Sequence, residues 1–143
     1  LYRYGNIITD IYLEFKNGKV GKSSASKNYE VLQKMIEVEN ADKIGEFSLT
    51  DKRMSKIDHF MAETLFDENI SGPFGNTHLA LGTSYQDTYT GDPSKVKKSD
   101  WKKLGFNNSA IHTDIISTVD RTVTAFLKGG SQKVIYENGQ FVL

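Results

Sequence analysis

The chain has 143 residues, 38% hydrophobic and 25% charged, a size and composition suited to one domain that buries roughly 70% of the surface it exposes when unfolded. Its 18 Lys plus Arg balance 18 Asp plus Glu, so there is no overall field to draw in nucleic acid or anionic lipid. The lack of cysteine excludes thiolate zinc sites, disulfides and cysteine nucleophiles and fits a reducing compartment, while no apolar run approaches the ~20 residues of a membrane span.

The chain opens on Leu1-Tyr2-Arg3-Tyr4, with no methionine and already strand-like, which reads as part of something longer. Ile7, Thr9, Ile11, Leu13 and Phe15 alternate onto one face of an expected strand, and Asn17-Gly18 supplies a two-residue hairpin turn. Gly21-Lys22-Ser23 has the tail of a phosphate loop, but Lys16 stands where the first glycine belongs, so a nucleotide site is not read there. Ser26 or Asn28 can cap a helix carrying Tyr29, Leu32, Met35 and Ile36 at helical spacing. Ser55 can cap a second, with Ile57, Phe60, Met61, Thr64 and Leu65 inward, and Ser99 a third over Lys98–Leu104, with Trp101 and Leu104 inward. Ile70 to Asn76, with its Gly-Pro pair, is a loop by composition. The lysines at 95, 97, 98, 102 and 103 are diluted by Asp92 and Asp100 and read as solvated surface. Thr122–Leu127, then Lys133–Tyr136 and Phe141–Leu143 joined by Asn138-Gly139, add antiparallel sheet at the end. The expected class is α+β: a strand-dominated mixed or antiparallel sheet with two or three helices.

The chemistry-bearing residues are few. His112-Thr113-Asp114 puts an imidazole and a carboxylate on one face of a strand, since strand side chains alternate. Both lie amid Ile111, Ile115 and Ile116, and burying charge is costly unless it is paired or bound to metal; a structural His–Asp hydrogen bond is the plainer reading. His78 opens the apolar run His78-Leu79-Ala80-Leu81-Gly82 and taken alone reads as a core histidine. Glu46 starts or edges a strand after Gly45, and Glu68 stands just past a helix; each alone reads as a surface acid. His59, beside Asp58, reads as helix flank. Tyr85 could donate to a developing oxyanion, though it is one of seven tyrosines. Glu46, Glu68, His78, His112 and Asp114 converging from four segments would make a hydrolytic metal site.

Taken in order, these residues resemble the thermophilic metallo-aminopeptidases, the aminopeptidase T and aminopeptidase S family (peptidase family M29). The matching blocks are Ile44-Gly45-Glu46; Thr64-Leu65-Phe66-Asp67-Glu68-Asn69; His78 to Gly82 with Tyr85 seven residues after the histidine; and Gly105 to Asp114, ending in His-Thr-Asp where the family has His-Val-Asp. The resemblance covers essentially the whole chain. It implies an exopeptidase with two co-catalytic divalent ions (zinc, cobalt or manganese) that removes residues from peptides with a free N-terminus. It further implies that residues 1–143 are the C-terminal, metal-binding catalytic portion of a larger two-domain enzyme, cytoplasmic and homodimeric, with no nucleic-acid or membrane partner. By the same resemblance Glu46 is the shared carboxylate, Glu68, His78, His112 and Asp114 the other metal ligands, and Tyr85 the active-site tyrosine, Glu46 and Tyr85 being catalytic.

Two departures stand beside it. The family has a further glutamate ligand in a segment that would precede Leu1, so this chain alone is expected to bind metal weakly and to show little peptidase activity. The Gly-Pro loop lies between Glu68 and His78, where many relatives have a shorter link. The rival readings are a non-catalytic binding or dimerisation module with structural His, Asp and Glu hydrogen bonds, and another metal-dependent hydrolase, such as an esterase or phosphatase.

Overall fold

A computed structural model describes residues 1–142; Leu143, the end of the expected last strand, lies outside the described residues. Ten strands dominate: β1 (Tyr2–Arg3), β2 (Asn6–Ile7), β3 (Tyr12–Lys16), β4 (Lys19–Ser24), β5 (Ile44–Thr50), β6 (Asn76–Gly82), β7 (His112–Ser117), β8 (Val123–Phe126), β9 (Gln132–Glu137) and β10 (Gln140–Phe141). Helix α1 (Tyr29–Ile36) and a single turn, α2 (Thr64–Asp67), are the α-helices. Strands β1 and β2, β3 and β4, and β8, β9 and β10 pair antiparallel, and β5-β6-β7 form a three-stranded sheet with β6 in the middle. The strand-dominated α+β expectation holds. Among the described residues no helix is long and apolar enough to cross a membrane.

The described residues divide into two compact units, Leu1–Phe47 with Leu79–Ile115, and Ser48–His78 with 116–142. The first is built around Ile8, Leu32, Met35, Ala41, Leu81 and Ile111, with Leu13, Phe15 and Val20 of the β3–β4 hairpin packed on it. The hairpin turns at Asn17-Gly18, whose φ values of 52° and 75° are the left-handed pair that a two-residue type I′ turn requires. Helix α1 buries Leu32 and Met35, burial that stabilises by about 1.5–3 kcal/mol each.

In the second unit, Tyr136 of β9 is fully buried, and its hydroxyl donates to the carbonyls of Thr50 (2.9 Å) and Phe74 (3.1 Å). Asp51, 5% exposed, accepts from Arg53 Nε (2.9 Å) and Nη2 (2.6 Å) and from the Phe141 amide (2.9 Å). The Arg53 hydrogen bond holds this carboxyl well below the usual carboxylate range, against the opposing effect of burial. Asn138-Gly139 turns β9 into β10 with φ values of 50° and 77°.

Four expectations fail, each for a local reason. The strand drawn from Ile7 to Phe15 is broken, because Asp10 turns left-handed (φ 51°) and leaves Ile7 exposed on β2. Asn28 does precede α1, but in a left-handed conformation with no side-chain cap; its amide donates instead to the Ile7 carbonyl (2.8 Å). No helix starts at Ser55: its Oγ accepts from the Ile57 amide (3.2 Å) in a tight turn, and only Thr64–Asp67 are helical. Lys98–Leu104 is a run of turns, in which Trp101 packs edge-on against Tyr89 and Phe106 while Leu104 stays exposed. A short helix adds little stability of its own, so local anchors decide these segments.

Candidate metal centre

Strand β5 carries Glu46 and β7 carries His112 and Asp114, the latter two on one face because they are two residues apart. His112 Nε2 lies 3.8 Å from Glu46 Oε2 and 3.6 Å from Asp114 Oδ1. Both gaps exceed a direct hydrogen bond. They are within a few tenths of an ångström of the ~3.4 Å edge between neighbouring ligands on a tetrahedral ion with ~2.1 Å bonds. The Asp114 side chain is 3% exposed and that of His112 15%. The Tyr85 ring packs on the His112 ring at 4.4 Å between centroids, tilted 43°.

The tautomer of His112 follows from its other nitrogen. Nδ1 lies 2.9 Å from the Thr83 carbonyl oxygen, which can only accept, so Nδ1 carries a proton and the neutral ring presents the Nε2 lone pair to two carboxylates. A lone pair facing anionic oxygens calls for a cation in that space, either a proton or a metal ion. Metal-binding histidines characteristically donate their second nitrogen to a carbonyl or carboxylate in this way. His78, 5% exposed, also has its Nδ1 against a backbone carbonyl, that of Glu68 at 3.2 Å.

Two glycines bring these backbones close. A side chain on Gly45 would put its Cβ 2.6 Å from the Gly82 carbonyl oxygen and 2.8 Å from the Thr83 carbonyl carbon. Gly82, at φ 101°, has no room on its other side, where a Cβ would meet the Ile111 carbonyl carbon at 2.7 Å. Glu46 therefore follows a residue pressed onto the segment whose next carbonyl holds His112. In the second unit the buried carboxylate of Asp67 accepts the Met61 (2.7 Å) and Glu63 (3.0 Å) amides, which fixes the turn that ends at Glu68.

Glu68 and His78 lie together in the second unit, where the Glu68 carbonyl is 3.2 Å from His78 Nδ1. Glu46, His112 and Asp114 are gathered within the first unit. This donor set, carboxylates and imidazoles without thiolate, suits zinc, cobalt or manganese. The residues present fit a divalent ion. His59 lies apart on the surface against Asp58 (2.6 Å).

The model for the thermophilic metalloprotease family (M29) matches residues 1–141. The chain belongs to that family. Its relatives include aminopeptidase AmpS of Bacillus subtilis, 30% identical over 141 residues, and aminopeptidase T of Thermus thermophilus, 29% identical over 143. These alignments take in 96% and 97% of this chain and 33% of each relative, so the chain spans about a third of their length. A solved structure, wild-type AmpT from Thermus thermophilus, superposes with a TM-score of 0.81 at 26% identity, over 97% of this chain and 33% of that one. The family's name carries metal dependence and its relatives are aminopeptidases.

The sequence singled out Glu46, Glu68, His78, His112 and Asp114 but not the groups that support them. Thr83 and the crowding at Gly82 act through backbone groups and have no motif, whereas Asp67, which works through its carboxylate, and Gly45 lie inside the quoted family blocks without having been given a role.

Proposed function

We propose that this chain carries most of the catalytic site of a metal-dependent aminopeptidase that releases N-terminal residues from peptides through a water activated by two divalent ions. The observation that carries this reading is the pair of histidines whose Nδ1 protons are committed to backbone carbonyls, with the Nε2 of His112 presented to carboxylate oxygens. The metal-ligand set is Glu46, Glu68, His78, His112 and Asp114. Glu46 is proposed as the carboxylate shared by two ions.

Bound divalent ions would supply Lewis-acid polarisation of the scissile carbonyl and lower the pKa of a water at neutral pH. Glu46, half-buried on β5, accepts a proton and returns it to the leaving amine. Tyr85, its ring fixed against His112, offers its hydroxyl to the carbonyl oxygen as charge develops there. Because the relatives are about three times as long, these 143 residues by themselves are proposed to bind metal weakly and to turn over little peptide. The whole protein is proposed to be a cytoplasmic homodimer acting on peptides with a free N-terminus, with neither nucleic acid nor membrane as partner.

The test uses the longest natural protein that contains this chain. Metal content by mass spectrometry and hydrolysis of aminoacyl anilides are compared with phosphate and acetyl esters, before and after chelation. Chelator-sensitive release from the anilides, with metal lost in His112→Ala, is expected. Full turnover after exhaustive chelation, or activity on the esters alone, refutes the reading.

A further inference from the structure

The first unit contains a half-open cavity of about 470 Å³, within the range typical of ligand sites. Three of its lining residues are lysines, Lys43, Lys98 and Lys102, and none is an Asp or Glu. The lysines nearby are treated differently: Lys95 is held by Asp92 at 3.3 Å and Lys103 by Asp100 at 2.8 Å. Among the described residues no ion pair is formed by Lys98 or Lys102, and Lys43 donates to the neutral Asn40 Oδ1 at 2.7 Å. A concave surface focuses the field of like charges, so a stretch that reads as solvated surface in the sequence becomes a cationic recess once folded.

The recess adjoins the candidate metal centre. Ile44, on its wall, shares a face of β5 with Glu46, about 7 Å away along the strand. Gln86, also on the wall, directly follows Tyr85. Asn107 ties the wall to the same support, donating to the Gly82 carbonyl at 2.6 Å, one residue before the carbonyl that holds His112. A peptide residue spans about 3.3–3.6 Å, so an extended peptide reacting at Glu46 reaches the recess two or more residues past the scissile bond.

We propose that this recess binds the carboxylate groups of the peptide substrate downstream of the cleaved bond, either an acidic side chain or the C-terminal carboxylate, and so favours short or acidic peptides. The proposal rests on the peptidase reading for what is cleaved, but not for what is bound. The lysine ammonium groups supply charge-assisted hydrogen bonds, and Trp101 and Phe106 form the apolar part of the wall.

Trp101 is the single tryptophan of this chain and lines the recess, so its fluorescence reports occupancy directly. Four tetrapeptides serve as probes: Leu-Ala-Ala-Asp and Leu-Ala-Ala-Asn, each as free acid and as C-terminal amide. They are tested with the longest natural protein containing this chain, with Trp101→Phe identifying the signal and inorganic phosphate as a control anion. The expected result is a saturable Trp101 response to the peptides bearing a carboxylate. Double substitution Lys98→Ala with Lys102→Ala should weaken it about tenfold and lower the acid-to-amide ratio of kcat/KM by a similar factor. Lys103→Ala should leave the ratio unchanged. The two acid sources separate by whether the amidated Asp or the free-acid Asn peptide keeps the response. An equal response to the fully neutral peptide, no effect of the double substitution, or tighter binding of phosphate than of any peptide overturns the proposal. Charge-dependent binding without turnover of any peptide would leave the recess standing and sink the peptidase reading; turnover without acid preference would do the reverse.

Discussion

Gly45→Ala tests whether backbone crowding, rather than the ligands alone, sets the geometry of the centre. The added Cβ would lie 2.6 Å from the Gly82 carbonyl oxygen, whereas ordinary contact begins at 3.4 Å, so the two backbones must separate by at least 0.8 Å. Glu46 moves with one backbone, and Thr83, whose carbonyl orients His112, moves with the other. A misplacement of about 1 Å in a reacting geometry can cost about a hundredfold in rate, and loss of an outer support of a metal ligand costs about 10–100-fold in metal affinity. The strain itself should cost about 1–3 kcal/mol of stability. Metal affinity by competition with a chelator, kcat/KM on an aminoacyl anilide and urea denaturation measure the three effects. Gly21→Ala on β4, where φ is ordinary and a Cβ meets its nearest atoms at 3.6 Å, provides a comparison without crowding. If Gly45→Ala folds with unchanged stability and keeps metal affinity and turnover within about twofold, well short of that loss, crowding does not position the site.

Three further outcomes are expected. Leu32→Ala, which empties a fully buried position of the first core, should cost about 2–5 kcal/mol in urea denaturation. Asp51→Asn should cost about 1–3 kcal/mol at neutral pH, because Arg53 and the Phe141 amide lose a charged acceptor. The native carboxyl of Asp51 is depressed, so its contribution is complete above the unfolded pKa of about 3.9 and is lost as pH falls toward the native value; the gap between the wild type and Asp51→Asn should close in acid, as followed by thermal melts. His112→Ala should abolish stoichiometric metal binding, read by mass spectrometry, and retention of full metal occupancy would remove His112 from the ligand set.

The sequence by itself determined what is local. Asn17-Gly18 and Asn138-Gly139 made their turns because both residues tolerate positive φ, and α1 formed where Leu32 and Met35 recur on one face. The pairing of His112 with Asp114 could be read too, since alternation on β7 puts both on one face. Tertiary structure decided the rest. The apolar spacing after Ser55 is as helical on paper as that of α1, yet the buried Asp67 gathers the Met61 and Glu63 amides and holds the segment in turns. Lys98–Leu104 gave up its helix to an aromatic cluster with partners at Tyr89 and Phe106, and two of its own lysines, Lys98 and Lys102, came to line a recess. Hydrogen-bond partners tens of residues apart, and backbones that touch only because Gly45 and Gly82 lack side chains, leave no periodicity in a chain to be read; they exist only once the strands are side by side.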